Sequence, residues 1–279
     1  MSDPLLARLA SADPEERREA CRQAATHPAA TLFSDALARA LADPSKAVVR
    51  AASDALVAIQ RGPGGALDAL RDALHGHAPG ARFAAAFTLA RLEPPSPKLL
   101  PALVEALGSD DGDVRWAAAR LLVDMGRLHG EVLPVLVGLA RAGEGAAVRR
   151  MAAFALRSLA PDRPEAAQVL LSATRDPDVD VRRAALTALA ALLDPPREVA
   201  ARLVEVLSGD PDAPSRRLAA LALGELGAAS PAALPADAHA ALARAQAESL
   251  DTDLRRAAAR SLAKLAGARA GAGDQGART

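Results

Sequence analysis

The sequence predicts an all-α fold, a solenoid of about eight helical hairpins, and three observations support this prediction. First, 51% of the 279 residues are hydrophobic but only 2% are aromatic, whereas β-sandwiches and barrels are rich in aromatic and β-branched residues. Second, one segment recurs at intervals of about 33 residues, as it does in repeat proteins. Third, the apolar residues within each copy recur at helical spacing.

The repeated segment starts with an acidic residue, continues with Val-Arg and an Ala-rich stretch, and has Leu seven and ten positions after the Arg. Its clearest copies are 178–192, 251–265, 111–125, 147–159 and 81–92. We call the residue at the Arg position the anchor of each copy. The eight anchors are Arg17, Val49, Arg82, Arg115, Arg149, Arg182, Arg216 and Arg255. Their even spacing indicates internal repeats rather than chance similarity.

Each copy is predicted to form one amphipathic helix, called helix B. Its apolar positions are spaced like Val181, Ala185, Leu189 and Leu192, which lie on one helical face. A second amphipathic run, called helix A, precedes most copies. The predicted A helices are 32–41, 67–74, 99–107, 132–140, 166–173, 199–207 and 239–247. The turn from A to B often contains Asp-Pro, in which Asp can cap free amides and Pro has a helical φ. Each repeat is therefore a helical hairpin.

The hairpins are predicted to stack, because a pair of helices this short cannot bury its apolar faces alone. Ala residues after the anchors allow neighbouring helices to approach closely. We expect one solenoid over residues 1–266. The Gly- and Ala-rich segment 267–279 is predicted to be a disordered C-terminal tail.

Charge and cysteine content restrict the class of protein. The 34 Lys and Arg residues balance the 34 Asp and Glu residues, which excludes a wholly basic nucleic-acid-binding protein. The single cysteine, Cys21, excludes an internal disulfide and suits a reducing compartment. We find no features of a signal peptide and no run of roughly 18 apolar residues. We therefore expect a cytoplasmic protein without a membrane partner.

The repeated pattern Asp-x-x-Val-Arg-x-Ala-Ala-x-x-x-Leu resembles HEAT repeats, and in particular the short bacterial HEAT-like or phycobilisome-lyase-like repeats. The resemblance covers about residues 4–265. It implies a curved superhelix in which the B helices line the concave surface. It also implies that Asp and Arg positions form a ladder between adjacent repeats. The candidate ladder residues are Arg82, Arg115, Arg149, Arg182, Arg216 and Arg255.

The positions one and five residues after each anchor share a face of helix B that lies nearly opposite its apolar stripe. Most of these positions carry Arg, yet they also hold four of the five aromatic residues. Aromatic and Arg residues dominate binding hot spots. The candidate partner-binding residues are Phe83, Phe87, Trp116, Arg120, Arg150, Phe154, Arg183 and Arg217. An alternative is that the arginines only solubilise this face, while Phe87 and Phe154 pack between repeats.

The sequence offers no catalytic or metal-binding motif. His75 and His77 flank one glycine in a predicted turn, but no third ligand is obviously placed near them. The HEAT-like deoxyhypusine hydroxylases bind iron through His-Glu pairs, and no His-Glu dipeptide occurs here. Cys21 occupies a small packing position without a positioned base. We therefore expect no enzymatic activity, no metal and no cofactor.

Three functions are compatible with the sequence. The first is a protein-interaction scaffold whose concave groove binds an acidic or amphipathic protein or peptide segment. The second is nucleic-acid binding through the same Arg-rich face, as in HEAT-like alkylpurine glycosylases, although the overall neutrality counts against it. The third is a lyase-like subunit acting on a chromophore-bearing protein, and it rests on the repeat resemblance alone.

Overall fold

The computed structural model describes residues 3–62, 65–193 and 195–276. In these ranges the chain forms sixteen α-helices and three short 3-10 turns, and it forms no strand. The α-helices are α1 Pro4–Leu9, α2 Pro14–Thr26, α3 Ser34–Ala40, α4 Lys46–Arg61, α5 Leu67–Ala73, α6 Pro79–Ala90, α7 Leu100–Ala106, α8 Gly112–Leu128, α9 Val132–Ala142, α10 Ala146–Leu159, α11 Pro164–Ala173, α12 Val179–Leu189, α13 Arg197–Gly209, α14 Ala213–Ala229, α15 Ala238–Glu248 and α16 Thr252–Gly276. The predicted all-α solenoid fold is confirmed.

The helices alternate as predicted, with odd-numbered helices in the A position and even-numbered helices in the B position. The stripe formed by Val181, Ala185, Leu189 and Leu192 is buried. Because helical periodicity and Ala and Leu content are strong signals, every predicted A helix agrees with the structure to within about two residues at each end.

The chain divides into two compact units, Met1–Val132 and Leu133–Thr279. In the first unit the B helices pack in chain order, α2 on α4, α4 on α6 and α6 on α8, and each A helix packs on its own B helix. In the second unit α10, α12, α14 and α16 pack in the same way. The sequence predicts one solenoid over 1–266, so the division into two units is an additional finding.

Helix α16 extends beyond the repeated segment, which ends at Leu265, and reaches Gly276. The disordered tail expected over 267–279 stays a prediction. Residues 277–279 lie outside the described residues.

The anchor arginines close the turn between helix A and helix B of their own hairpin. In six hairpins the Nη1 atom of the anchor donates to the backbone carbonyl six residues upstream. These bonds join Arg17 to Ser11, Arg82 to Gly76, Arg115 to Ser109, Arg149 to Gly143, Arg182 to Asp176 and Arg216 to Asp210. Carbonyls at a helix C-terminus lack helical partners, so these bonds satisfy them.

Some anchors also bind a carboxylate of the next hairpin, as the resemblance implies. Arg149 donates from Nε and Nη2 to Asp176 at 2.7 and 3.0 Å. Arg17 binds Asp43 in the same way, at 2.6 and 2.9 Å, and Arg182 Nε lies 3.4 Å from Asp210 Oδ2. Each of these aspartates stands six residues before its own anchor. At Asp176 and Asp210, the backbone carbonyl accepts a hydrogen bond from the anchor of its own hairpin, while the carboxylate pairs with the anchor of the preceding hairpin.

The other candidate ladder residues differ for reasons visible in the sequence. Arg82 binds Glu105 instead, because Ser109 stands six residues before the next anchor. Among the described residues, Arg115, Arg216 and Arg255 form no ion pair, and Arg115 Nε is buried without a hydrogen-bond partner. The residue six before Arg149 is Gly143, where a Cβ would lie 2.5 Å from the Leu139 carbonyl oxygen. An aspartate does not fit there.

We predict that Arg149→Ala lowers the free energy of unfolding by about 1 to 2 kcal/mol, because the half-buried Asp176 loses two charge-assisted hydrogen bonds. Urea unfolding followed by circular dichroism measures the change. The control is Arg157→Ala, which removes an exposed arginine from the same helix. Equal midpoints for the two variants would contradict the proposed role of the anchor.

Because of the same ion pairs, the free energy of unfolding should decrease at acid pH. Hydrogen bonds from Arg17 hold the pKa of Asp43 below its ordinary value. Burial is the largest single influence on the pKa of Asp176 and raises it. The hydrogen bonds from Arg149 and from the Asp178 amide, together with the charges of Arg149 and Arg182, outweigh burial, and the net direction is down. Carboxyl groups with lowered pKa values stabilise the fold above the unfolded pKa of about 3.9, and this stabilisation is lost as the pH falls through the folded pKa. We expect the urea midpoint to be constant from neutral pH down to about pH 5 and to decrease as the pH is lowered further below about pH 4. The decrease should be less steep in the variant Asp176→Asn. An equally steep fall in that variant argues against the pair.

The thiol of Cys21 should be inert in the folded protein. Burial, together with the nearby Asp43 carboxylate, raises its pKa to about 11. Because the thiolate is the nucleophile, we expect no reaction with a disulfide reagent at about pH 8 until urea unfolds the chain. Rapid labelling of the native protein is the contrary result.

Candidate functional site

The first unit has an apolar groove of about 660 Å³ along its B helices α4, α6 and α8. This volume is within the range of ligand pockets. The apolar residues that line the groove include Leu41, Val49, Ala81, Phe83, Ala84, Phe87, Val114 and Ala117. The charged residues that line it are Asp43, Lys46, Arg50, Asp54, Arg91, Asp111 and Asp113.

The groove occurs where two successive repeats depart from the repeated pattern. The second repeat has Val49 at the anchor position, so α4 lacks the guanidinium that most other B helices carry there. The third repeat starts with Ala-Pro-Gly-Ala at 78–81, where the fourth has Asp-Gly-Asp-Val at 111–114. Small side chains at the start of α6 leave space between α4 and α8. The groove therefore has a local cause in the sequence.

Two of the predicted partner-binding residues contribute aromatic rings to the groove. Phe83 and Phe87 lie one turn apart on α6, with ring centroids 5.9 Å apart and ring planes inclined by 40°. Phe83 is half-buried, and Phe87 is 37% exposed. The rings together present a broad apolar surface that a partner can cover.

Trp116 and Arg120 lie on α8, one helical turn apart, and both are exposed. The Trp116 side chain is 48% exposed, so it is not sealed between helices. Within the described part of the chain, neither residue is among those that line the groove. Of the predicted partner-binding residues in the first unit, Phe83 and Phe87 on α6 therefore line the groove, whereas Trp116 and Arg120 on α8 lie outside its lining.

The remaining predicted residues belong to the second unit, where Phe154 is half-buried on α10. Three of the predicted partner-binding arginines form ion pairs with carboxylates of the following hairpin. Arg183 donates to Asp212 at 3.0 and 2.7 Å. Arg150 lies 3.4 Å from Asp180 and Arg217 lies 2.7 Å from Asp253. Each of these three guanidinium groups therefore already has a carboxylate partner, and their part in partner binding stays a prediction.

The Arg183–Asp212 pair has the strongest electrostatic effect of these three. Hydrogen bonds from Arg183 and from Ser215 lower the pKa of Asp212, although burial acts in the opposite direction. The same pair raises the pKa of Arg183. The signal for this pairing was present in the sequence, because Asp180, Asp212 and Asp253 stand two or four residues before the next anchor.

Ion pairs border the groove at two places. Lys46, the first residue of α4, pairs with Asp111, the N-cap of α8, and lies 3.9 Å from Asp113. This pair lowers the pKa of Asp111. Because α6 packs between α4 and α8, the pair crosses the start of α6. Sequence reasoning missed Lys46, since it lies outside the repeated columns.

The second pair joins Arg91 and Asp54, at 2.8 Å. Arg91 also donates to the hydroxyl of Ser53 at 2.9 Å, and Ser53 shares a buried hydrogen bond of 2.8 Å with Thr88. Arg50, by contrast, is exposed and forms no ion pair within the described ranges. The groove therefore has an apolar centre, two internally paired borders and one available cation.

In the described residues, no three His, Cys, Asp or Glu side chains come together in a way that could hold a metal ion. None of the helices over 3–62, 65–193 and 195–276 is long and apolar enough to cross a bilayer.

Comparisons with known proteins agree with the repeat pattern. The family model described as HEAT repeats matches residues 2–90, 67–157 and 133–224. Among curated proteins, no significant match was found.

Three crystal structures of engineered proteins are similar to this chain. The first is 25% identical and has a TM-score of 0.46, over 95% of this chain and 79% of its own. The second is 23% identical, with a TM-score of 0.41 over 96% and 98% of the two chains. The third is 21% identical, with a TM-score of 0.40 over 95% and 99%. Since the three matches to the family model together span most of the sequence, the chain belongs to the HEAT-repeat family.

Proposed function

We propose that this protein is a non-catalytic scaffold whose first unit binds an amphipathic segment of a protein partner in the groove on α4, α6 and α8. HEAT-repeat solenoids are generally protein-interaction scaffolds. The observation that carries the proposal is the open apolar floor around Phe83 and Phe87. Contiguous apolar surface on a soluble protein marks interaction sites, because covering it removes apolar area from water.

The borders of the groove indicate the chemistry of the partner segment. Its apolar side chains would cover Phe83, Phe87 and Val49, and an acidic side chain would meet the exposed Arg50. Asp113 is also exposed and has only a long contact with Lys46, so it can accept a basic side chain. Charges of both signs favour an amphipathic segment over a uniformly acidic one.

The alternative functions have less support. Duplex nucleic acid needs several uncommitted cations to replace the counterions of the phosphates, and Arg150, Arg183 and Arg217 are bound to carboxylates. The family model matches HEAT repeats in general and does not distinguish the phycobilisome-lyase-like subgroup. A lyase-like role therefore still rests on the repeat resemblance alone.

The proposal is tested by selecting peptides of about 16 residues from a displayed library on the intact protein. We expect enriched peptides with apolar residues at helical spacing, and we expect Phe87→Ser to weaken their binding about tenfold or more, since a buried Phe side chain contributes about 1.5 to 3 kcal/mol. Fluorescence anisotropy with a labelled copy of an enriched peptide measures the affinity.

Leu128→Ser is the matched control. Leu128 is 59% exposed on α8 and is not among the lining residues described for the groove, so this variant should bind like the wild type. The proposal would be refuted if the selection enriched no peptide, or if the enriched peptides bound the Phe87→Ser variant as tightly as the wild type. We also expect a labelled duplex oligonucleotide to show no saturable binding at physiological salt.

A further inference from the structure

The second unit has another open surface, between the B helices α14 and α16. It forms a shallow groove of about 450 Å³. The residues that line it are Pro214, Arg217, Leu218, Leu221, Asp253, Arg256, Ala257 and Arg260. We call this the α14–α16 surface. None of the partner-binding residues predicted from sequence, apart from Arg217, belongs to it.

The apolar part of this surface follows one side of α14. Leu218 is half-buried, and Leu221 is 38% exposed. Ala257 faces them from α16 as a small buried residue. The arrangement leaves room for one or two apolar side chains of a partner above the leucines.

The charges of this surface are not balanced. Asp253 is its only carboxylate in the described residues, and it is shared by two arginines, with Arg217 at 2.7 Å and Arg256 at 3.4 Å. Arg260 is exposed and forms no ion pair in the part of the chain that the structure describes. Three guanidinium groups therefore face one carboxylate, which leaves an excess of two positive charges on a protein whose overall charge is zero.

Neighbouring parts of the unit show that this excess is local. Arg183 is matched by Asp212, and Arg150 by Asp180. Further along the same two helices, Lys264 pairs with Glu225. The excess is thus confined to the turn of α16 that carries Arg256 and Arg260, beside the exposed Leu221.

We propose that the α14–α16 surface is a second docking site, which binds an acidic peptide segment carrying an apolar residue. The apolar side chain packs on Leu218 and Leu221, and carboxylates of the segment bind Arg256 and Arg260. Arginine binds carboxylates with two parallel hydrogen bonds, and this gives orientation as well as attraction. The site goes beyond the proposed function, because it lies in the other unit and selects a partner by negative charge.

The test uses labelled peptides of about twelve residues, with Leu, Ile or Phe at the centre and two Glu on each side. A matched set has Gln in place of Glu, and an oligonucleotide of similar length serves as a different anion. Binding is measured by fluorescence anisotropy at low and at physiological salt.

We expect at least one acidic peptide to bind saturably, and its Gln counterpart to bind at least about tenfold more weakly. Arg260→Gln should weaken binding about fivefold or more, and Leu221→Ser by a similar factor. Arg244→Gln, on the exposed side of α15, is the matched control and should have no effect. Phe87→Ser should also have no effect, so that failure of this site and failure of the groove in the first unit are distinguishable.

Three results would overturn the proposal: no saturable binding of any acidic peptide, equal binding of the Gln peptides, or binding of the oligonucleotide alone. Insensitivity to Arg260→Gln would overturn it as well. Since Arg260 is exposed, its replacement should leave the circular dichroism spectrum and the urea midpoint unchanged, and its effect on binding is then not caused by unfolding.

Discussion

The structure depends above all on the guanidinium of the anchor arginine. A helix that ends in a turn leaves carbonyl groups without partners, and Arg149 satisfies one of them at Gly143 while its other nitrogens hold Asp176 of the next hairpin. The core itself consists mainly of Ala and Leu, whose packing tolerates small shifts of one helix along another. Partly buried ion pairs add little net stability but can select one register. We infer that the anchors fix how successive hairpins align, while the apolar core supplies most of the stability.

The sequence predicts this architecture well because its signals are local. Helical periodicity and Asp-Pro turns locate the hairpins, and the anchors locate the ladder. The pairing of Arg183 with Asp212 was not predicted, because the ladder was expected only at the anchor positions and Arg183 follows its anchor by one residue. At the candidate site, Phe83 and Phe87 both line the groove, and their part in binding stays a prediction. Lys46 and Arg91 were missed, since their positions do not repeat. Whether aromatic residues of different helices share one surface depends on how those helices are arranged in space, and local sequence patterns do not encode that arrangement.

The candidate site lies where the repeat pattern fails. Val49 in place of an anchor arginine and small residues at the start of α6 remove side chains that other hairpins use for structure. The α14–α16 surface has a different origin. Arg217 and Arg256 occupy the position after the anchor, which mostly carries Arg, and Asp253 is the only carboxylate described for three arginines there. In the first unit, the consensus positions thus maintain the fold, and the departures from the consensus form the candidate site.

The bond from each anchor to the carbonyl six residues upstream has a consequence for how the chain can change in length. It constrains the connection within a hairpin and leaves the connections between hairpins unconstrained. Those outer connections indeed vary, from the short link between α8 and α9 to the longer ones after α12 and α14. Insertions and deletions during divergence should accumulate in these links. They are also the places where a foreign loop could be grafted without disturbing the stack.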